Sequence, residues 1–270
     1  MKINKLNRYL VVDFESPADN HICSVGFVLV ENGRVVQEFS SLINPRCEFN
    51  YRTVKIHGIT PKMVRHQPIF PEVWEQIKEF FTDTVIVAHN AIGDIRKLEF
   101  CLKRYHLPMP EFFYVCTERL AHKYLPEAEH FSLGGLCESL GIVAEDAHEA
   151  LADARSCHRL FEHLSGYVTD FAEEISLFGS EKALRYVQKT EESPASRYAK
   201  LVLLPNYRMS RHEVAVKGGF CCEIRCRGEI LAKSMAARKI TARQNACREA
   251  LAKIEADIAA KIGGVLHLCK

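Results

Sequence analysis

The chain has 270 residues, 47% apolar and 26% charged, an ordinary balance for a soluble globular protein, and it contains no apolar run long enough for a membrane-spanning helix. The polar opening MKINKLNRYL does not read as a secretory signal, and the eleven cysteines, mostly inside apolar runs, read as small core hydrophobes of a cytoplasmic protein rather than a disulfide framework. The net charge of +2 conceals an asymmetry: residues 196–270 carry 15 Lys+Arg against 6 Asp+Glu (+9), and residues 1–195 carry 21 against 28 (−7), which suggests a polyanionic partner held by the tail.

In chain order, RYLVVDFE (8–15) reads as a buried strand. Residues 22–30 and 35–43 read as a hairpin around Glu31-Asn32-Gly33-Arg34, because Asn-Gly between β-rich runs supplies the turn. Pro71 opens a helix carrying Val73, Trp74, Ile77, Phe80 and Phe81. TVIVAH (84–89) and FFYVC (112–116) are short strands, with helices expected over 92–105, 117–124, 132–140 and 149–164. This order predicts an α/β domain with a mixed sheet flanked by helices. Beyond Tyr167 the stretch 169–195 is helix-prone and ends in the linker-like KTEESPAS. Short β-rich runs follow (AKLVLL, HEVAV, FCCEIRC, EILAK), then a helix over 235–260 with Ile240, Cys247, Leu251, Ile254 and Ile258 on one face. They predict a small α+β domain. Cys221, Cys222 and Cys226 have no second Cys or His pair to complete a zinc site.

Several acids stand where chemistry gathers. Asp13 and Glu15 lie two apart on a strand and so share a face, a costly pairing unless a cation is bound there. Asp94 follows the strand VIVAH near a helix start, inside HNAIGD. In DAHEALAD (146–153), Asp146 and Glu149 look like an N-cap and its capping-box partner. His148 and Asp153 are five apart, about 140° around a helix, so His148 is expected on the entering loop, free to swing over the site that Asp153 faces. Four carboxylates can hold two divalent cations, and hard oxygen ligands select Mg²⁺ or Mn²⁺.

Asp13-Phe14-Glu15, HNAIGD and HEALAD resemble, in order, the three motifs of the DEDDh exonuclease group, with secondary support from Ile56-His57-Gly58-Ile59-Thr60 (HGIT-like), Cys116–Ala121 and Phe131-Ser132-Leu133. The resemblance implies a ribonuclease H-like fold over 1–168 and metal-dependent 3′→5′ exonuclease activity releasing nucleoside monophosphates. It implies two Mg²⁺ or Mn²⁺ held by Asp13, Glu15, Asp94 and Asp153, with His148 as general base. Phe14, Ser16, His89 and Asn90 would contact substrate, the chain end lying along the strand of Asp13. Ser16 stands where Thr is usual, Glu118 departs from the usual run before Leu120, and Gly93 replaces an aromatic, which is expected to loosen packing under the metal site.

Residues 220–251 resemble the second half of a double-stranded RNA-binding domain, with Arg238, Lys239 and Arg243 for its basic cluster and Ala246, Cys247, Ala250 and Leu251 for its helix signature. Ile240 replaces an expected Lys, and the preceding loop lacks the usual glycine. The segment 180–189 is a candidate first helix, so 169–195 is linker or first helix and 196–270 the basic domain. Such domains read duplex RNA by shape and phosphate spacing. The tail alone favours RNA over DNA; the alternatives are a DNA exonuclease of repair or proofreading and a catalytically idle nucleic-acid-binding protein.

Overall fold

The structure, a computed structural model, describes residues 3–82, 84–110, 112–144, 148–177, 193–202 and 209–268. It divides after Ile175; the second compact unit runs Ser176–Gly264.

In the first unit, β1 (Arg8–Glu15) is buried from Tyr9 to Val12 and lies inside the sheet, antiparallel to β2 (Ser24–Glu31) and parallel to β4 (Val85–Ala88). Asn32 and Gly33 take φ values of 52° and 74°, as a tight hairpin between right-twisted strands requires, and lead into the exposed strand β3 (Arg34–Leu42). With β5 (Phe113–Cys116) parallel to β4, and β6 (Ser176–Leu177), the mixed sheet runs β3-β2-β1-β4-β5-β6. Parallel neighbours need crossovers, which place helices over the sheet. These helices include α4 (Ala91–Arg104) and α5 (Thr117–Tyr124), followed by α6 (Leu133–Ser139) and α7 (Ala150–Ser165).

Between β3 and β4 the chain forms α1 (Tyr51–His57), α2 (Pro61–Val64) and α3 (Phe70–Ile77). The helix expected to carry Phe80 and Phe81 ends instead at Ile77 and tightens into a 3-10 turn, Lys78–Phe81, which buries Phe81. The residue that enters α7 is Glu149; the capping role expected of Asp146 falls outside the described residues.

The second unit contains a lead helix Pro194–Val202, an antiparallel sheet of β7 (Met209–Val216), β8 (Gly219–Cys226) and β9 (Glu229–Ala236), and a long helix Lys239–Leu268. The α-β-β-β-α order corrects two expectations. AKLVLL begins inside the lead helix, not a strand: Ser193 accepts from the Ser196 N–H at 3.2 Å and Pro194 presets the first φ, so Ser-Pro in the linker-like run is a helix start. The long helix begins only at Lys239, because 229–236 is strand. Ile240 is 63% exposed; Ala242, Ala246, Cys247, Ala250, Leu251, Ile254 and Ile258 form the buried stripe. The candidate helix at 180–189 lies outside the described residues. No helix among the described residues is long and apolar enough to cross a membrane, and the described cysteines are free.

Candidate active site

Asp13 and Glu15 share one face of β1, on either side of the buried Phe14. The pairing of β1 with β4 covers only Tyr9 to Val11, so β1 runs on past its neighbour. One turn of α4 supplies what β4 no longer does. Asp94 Oδ1 accepts from the Phe14 N–H at 3.2 Å, and the Lys97 ammonium donates to the Phe14 carbonyl and to Asp94 Oδ1, the latter at 3.1 Å. Asp94 is thereby fixed beside Asp13 and buried at 4% exposure.

Asp153 arrives on α7 through a close approach that none of the motifs announces. Asp13 pairs in register with Gly26 on β2. The first turn of α7 rests on that glycine so closely that a Cβ there would stand 2.2 Å from the Leu151 nitrogen. Glycine inside a strand is the available signal for such an approach. The arm from Arg155 to Glu38 on β3, two hydrogen bonds of 2.8 and 2.6 Å, ties the same helix to the sheet edge.

His148 precedes the helix with φ 71°, exposed, and its backbone N–H donates to Asp153 Oδ2 at 2.9 Å. A left-handed residue there keeps its side chain off the helical face that carries Asp153. Glu15, His148 and Asp153 each offer a ligand atom, all within 4.8 Å of one another, the one such group among the described residues. Asp13 and Asp94 stand alongside. Burial first, then Asp94, holds Asp13 well above the usual carboxylate range, and burial pushes Glu15 up to about 7. Asp94 and Asp153 are raised as well, chiefly by burial. Oxygen-rich donors in a buried, mutually repelling cluster suit a hard divalent cation.

The raised carboxyls couple folding to pH. A carboxyl whose folded pKa is raised keeps a proton that the unfolded chain has lost. The metal-free protein should therefore be most stable below the ordinary Glu value near 4.5 and lose stability as pH rises through about 7. Melting temperatures between pH 5 and 8 should fall without metal and recover with Mn²⁺, most strongly at the alkaline end. A flat profile, or Mn²⁺ stabilisation that is greatest in acid, would contradict the clustered carboxylates.

Residues 10–161, more than half the chain, match the exonuclease family model. The chain belongs to the exonuclease family. A second model, the CDKN2A-interacting protein DSRM domain, matches residues 153–262. The DNA polymerase III PolC-type of Thermotoga maritima is 34% identical over 157 residues, covering 57% of this chain and 11% of the polymerase, so the chain spans about a ninth of that relative. The DNA polymerase III subunit epsilon of Aquifex aeolicus is 29% identical over 57% of this chain and 78% of its own length. Among solved structures, the nuclease domain of 3′hExo, a DEDDh family member bound to rAMP, aligns with a TM-score of 0.54 at 14% identity over 64% of this chain and 96% of that one, a likeness of fold.

Other motif residues of this exonuclease family member brace the site. His57 of the HGIT-like segment accepts from the Ile59 N–H on Nδ1 at 3.0 Å, leaving Nε2 to meet the Ser16 carbonyl at 3.2 Å, while Gly58 takes φ 70° to end α1. The loop thus holds the end of β1. His89 meets Thr117 Oγ1 on Nδ1 and the Phe131 carbonyl on Nε2, both at 2.9 Å; burial lowers its pKa. Both ring nitrogens are engaged within the protein, so His89 braces β4, α5 and the approach to α6. Asn90 begins α4 in the left-handed region, φ 53°. The Ser16 hydroxyl lies against the following turn, closest to the His21 carbonyl at 2.7 Å. Gly93 corrects an expectation: a Cβ there would meet only the Asn90 side chain, at 3.8 Å, because Gly93 faces away from the core that receives Asp94. The missing aromatic leaves no gap under the acids.

In the second unit, Lys239 and Arg243 do not stand as an open phosphate-facing pair. Both converge on Glu213 of β7, Lys239 at 3.3 Å and Arg243 at 2.6 and 2.9 Å, with Arg211 joining at 3.0 Å. The hydrogen bonds from Arg243, ahead of the other contacts, draw the Glu213 carboxyl down to about 2. Arg238 lies just ahead of the long helix, exposed.

Proposed function

We propose that this chain is a metal-dependent 3′→5′ exonuclease of the DEDDh type, releasing nucleoside monophosphates, with RNA as its favoured substrate. The observation that carries this reading is the convergence of Glu15, Asp153 and His148 within 4.8 Å, beside Asp13 and Asp94. Asp13, Glu15, Asp94 and Asp153 are the ligands of two Mg²⁺ or Mn²⁺. When bound, such ions lower the pKa of water and stabilise the charge on the leaving 3′ oxygen. The chain's own residues do the rest. Phe14 and Ser16, on and beyond the strand of the acids, border the path of the substrate's end, with Asn90 at its rim. His148, exposed and outside the helix, takes the proton from the attacking water, a task suited to an imidazole whose free pKa lies near neutrality. A reducing cytoplasm suits the free thiols.

RNA is favoured by the basic tail and by the DSRM model match. The DNA reading, in repair or proofreading, draws on the polymerase relatives. Incubation with end-labelled RNA, DNA and duplexes with 3′ overhangs distinguishes them: preferential trimming of structured RNA supports the first reading, equal or better trimming of DNA the second.

The tail makes its own prediction. Replacing Arg238, Lys239 and Arg243 together should weaken duplex binding and flatten its salt dependence by roughly one unit of log–log slope for each phosphate no longer neutralised. Glu213→Gln should do the opposite, since it releases cations now shared with a carboxylate. Duplex affinity that is indifferent to both changes would point to a docking role for this domain.

A further inference from the structure

Lys97 has no place in the motifs, yet it is the cation of the acidic site. Its ammonium sits one helical turn beyond Asp94, in contact with the Asp94 carboxylate and the Phe14 carbonyl, its side chain 23% exposed. Its charge bears on Asp13, Glu15 and Asp94. The site therefore has two unequal halves. Glu15, Asp153 and His148 converge around a space with no cation of the protein's own among the groups that converge there. Asp13 and Asp94 already have one.

Resting on the nuclease reading above, we infer that Lys97 is a resident cation that stands in for the second divalent ion until substrate arrives, so that the free protein binds one ion and the substrate complex two. Charge balance supports this. Four ionised carboxylates and one ammonium leave three negative charges, too few for two divalent ions. A phosphodiester brings the fourth, and two divalent ions then balance the site. Without Lys97, the four carboxylates alone would balance two ions and the second would load unprompted. The ammonium also answers the Phe14 carbonyl, which β4 no longer reaches, so the strand end is held while the second ion is absent. Lys97 is thus a positioning residue that makes metal loading conditional on substrate.

The test is a Mn²⁺ titration of the full chain, read as bound ions per protein by electron paramagnetic resonance of the free ion. The wild-type protein should take one Mn²⁺ alone and a second when an oligonucleotide ending in a phosphorothioate linkage, RNA or DNA, is added. Lys97→Met should take two without oligonucleotide, whereas Lys97→Arg, which keeps the charge, should take one. Two ions on the free wild-type protein, or one on both wild type and Lys97→Met, would overturn the role of Lys97 and leave the nuclease reading standing. No Mn²⁺ on any of them would sink the nuclease reading itself. If Lys97→Met fails to fold, as its melt would reveal, the wild-type titration with and without oligonucleotide still decides.

Discussion

Replacing His148 with alanine lowers turnover by about 10²- to 10⁴-fold, the usual contribution of a positioned general base, while the protein still binds Mn²⁺ within a few-fold of its original affinity. Geometry separates the two effects. His148 stands outside α7 with φ 71°, exposed, and is tied to Asp153 through its backbone N–H. Removing the imidazole leaves that hydrogen bond and all four carboxylates in place. Its ring nonetheless comes within 4.8 Å of the oxygens of Glu15 and Asp153, near enough to ligate a cation. Measuring kcat and Mn²⁺ affinity in the same variant distinguishes the two roles. A large loss of affinity would make His148 a ligand and leave the proton to another group.

Gly26→Ala is expected to have the second large effect, though it carries no functional group. A methyl there would meet the Leu151 nitrogen at 2.2 Å and the Ala150 carbonyl carbon at 2.3 Å, backbone atoms that yield only if α7 lifts from the sheet. Overpacking of that kind costs roughly 1–3 kcal/mol and should show as a lower melting temperature. Asp153 moves with the helix, and a shift on the order of 1 Å at a catalytic group costs about 10²-fold in rate. The expected variant is folded, less stable and nearly inactive, with weakened Mn²⁺ binding. A variant with normal melting, metal affinity and rate would mean that α7 does not need this approach to place Asp153.

Much of the arrangement is legible in the amino-acid order itself. Asn32-Gly33 specifies its hairpin because few other pairs tolerate two positive φ angles in succession. The alternation of Asp13 and Glu15 about Phe14 follows from the two-residue period of a strand, and the five-residue spacing of His148 and Asp153 implies that they cannot both be regularly helical. What escapes is what depends on distant partners. Lys97 reads as one more surface lysine on an amphipathic helix until β1 is seen to outrun β4. His89 reads as a substrate contact until Thr117 and Phe131 close on its ring. Lys239 and Arg243 read as a phosphate clamp because nothing in their own helix announces Glu213, some thirty residues earlier on another strand. AKLVLL reads as a strand by its β-favouring residues, and the Ser193-Pro194 start overrides that propensity. Local rules identify elements and faces; long-range pairing decides which charges are already neutralised within the fold.

Exonuclease activity requires the acids to act together on a 3′ end. The most direct measurement follows an oligonucleotide labelled at its 5′ end, and its twin labelled within the last nucleotide, incubated with wild-type protein and with Asp13→Asn, in Mg²⁺, in Mn²⁺ and in excess chelator. The expected result is stepwise shortening from the 3′ end with release of 5′-mononucleotides, only with metal and only with Asp13 intact. Cleavage that begins inside the strand or persists in chelator, or no release from RNA or DNA under any of these conditions, would contradict it.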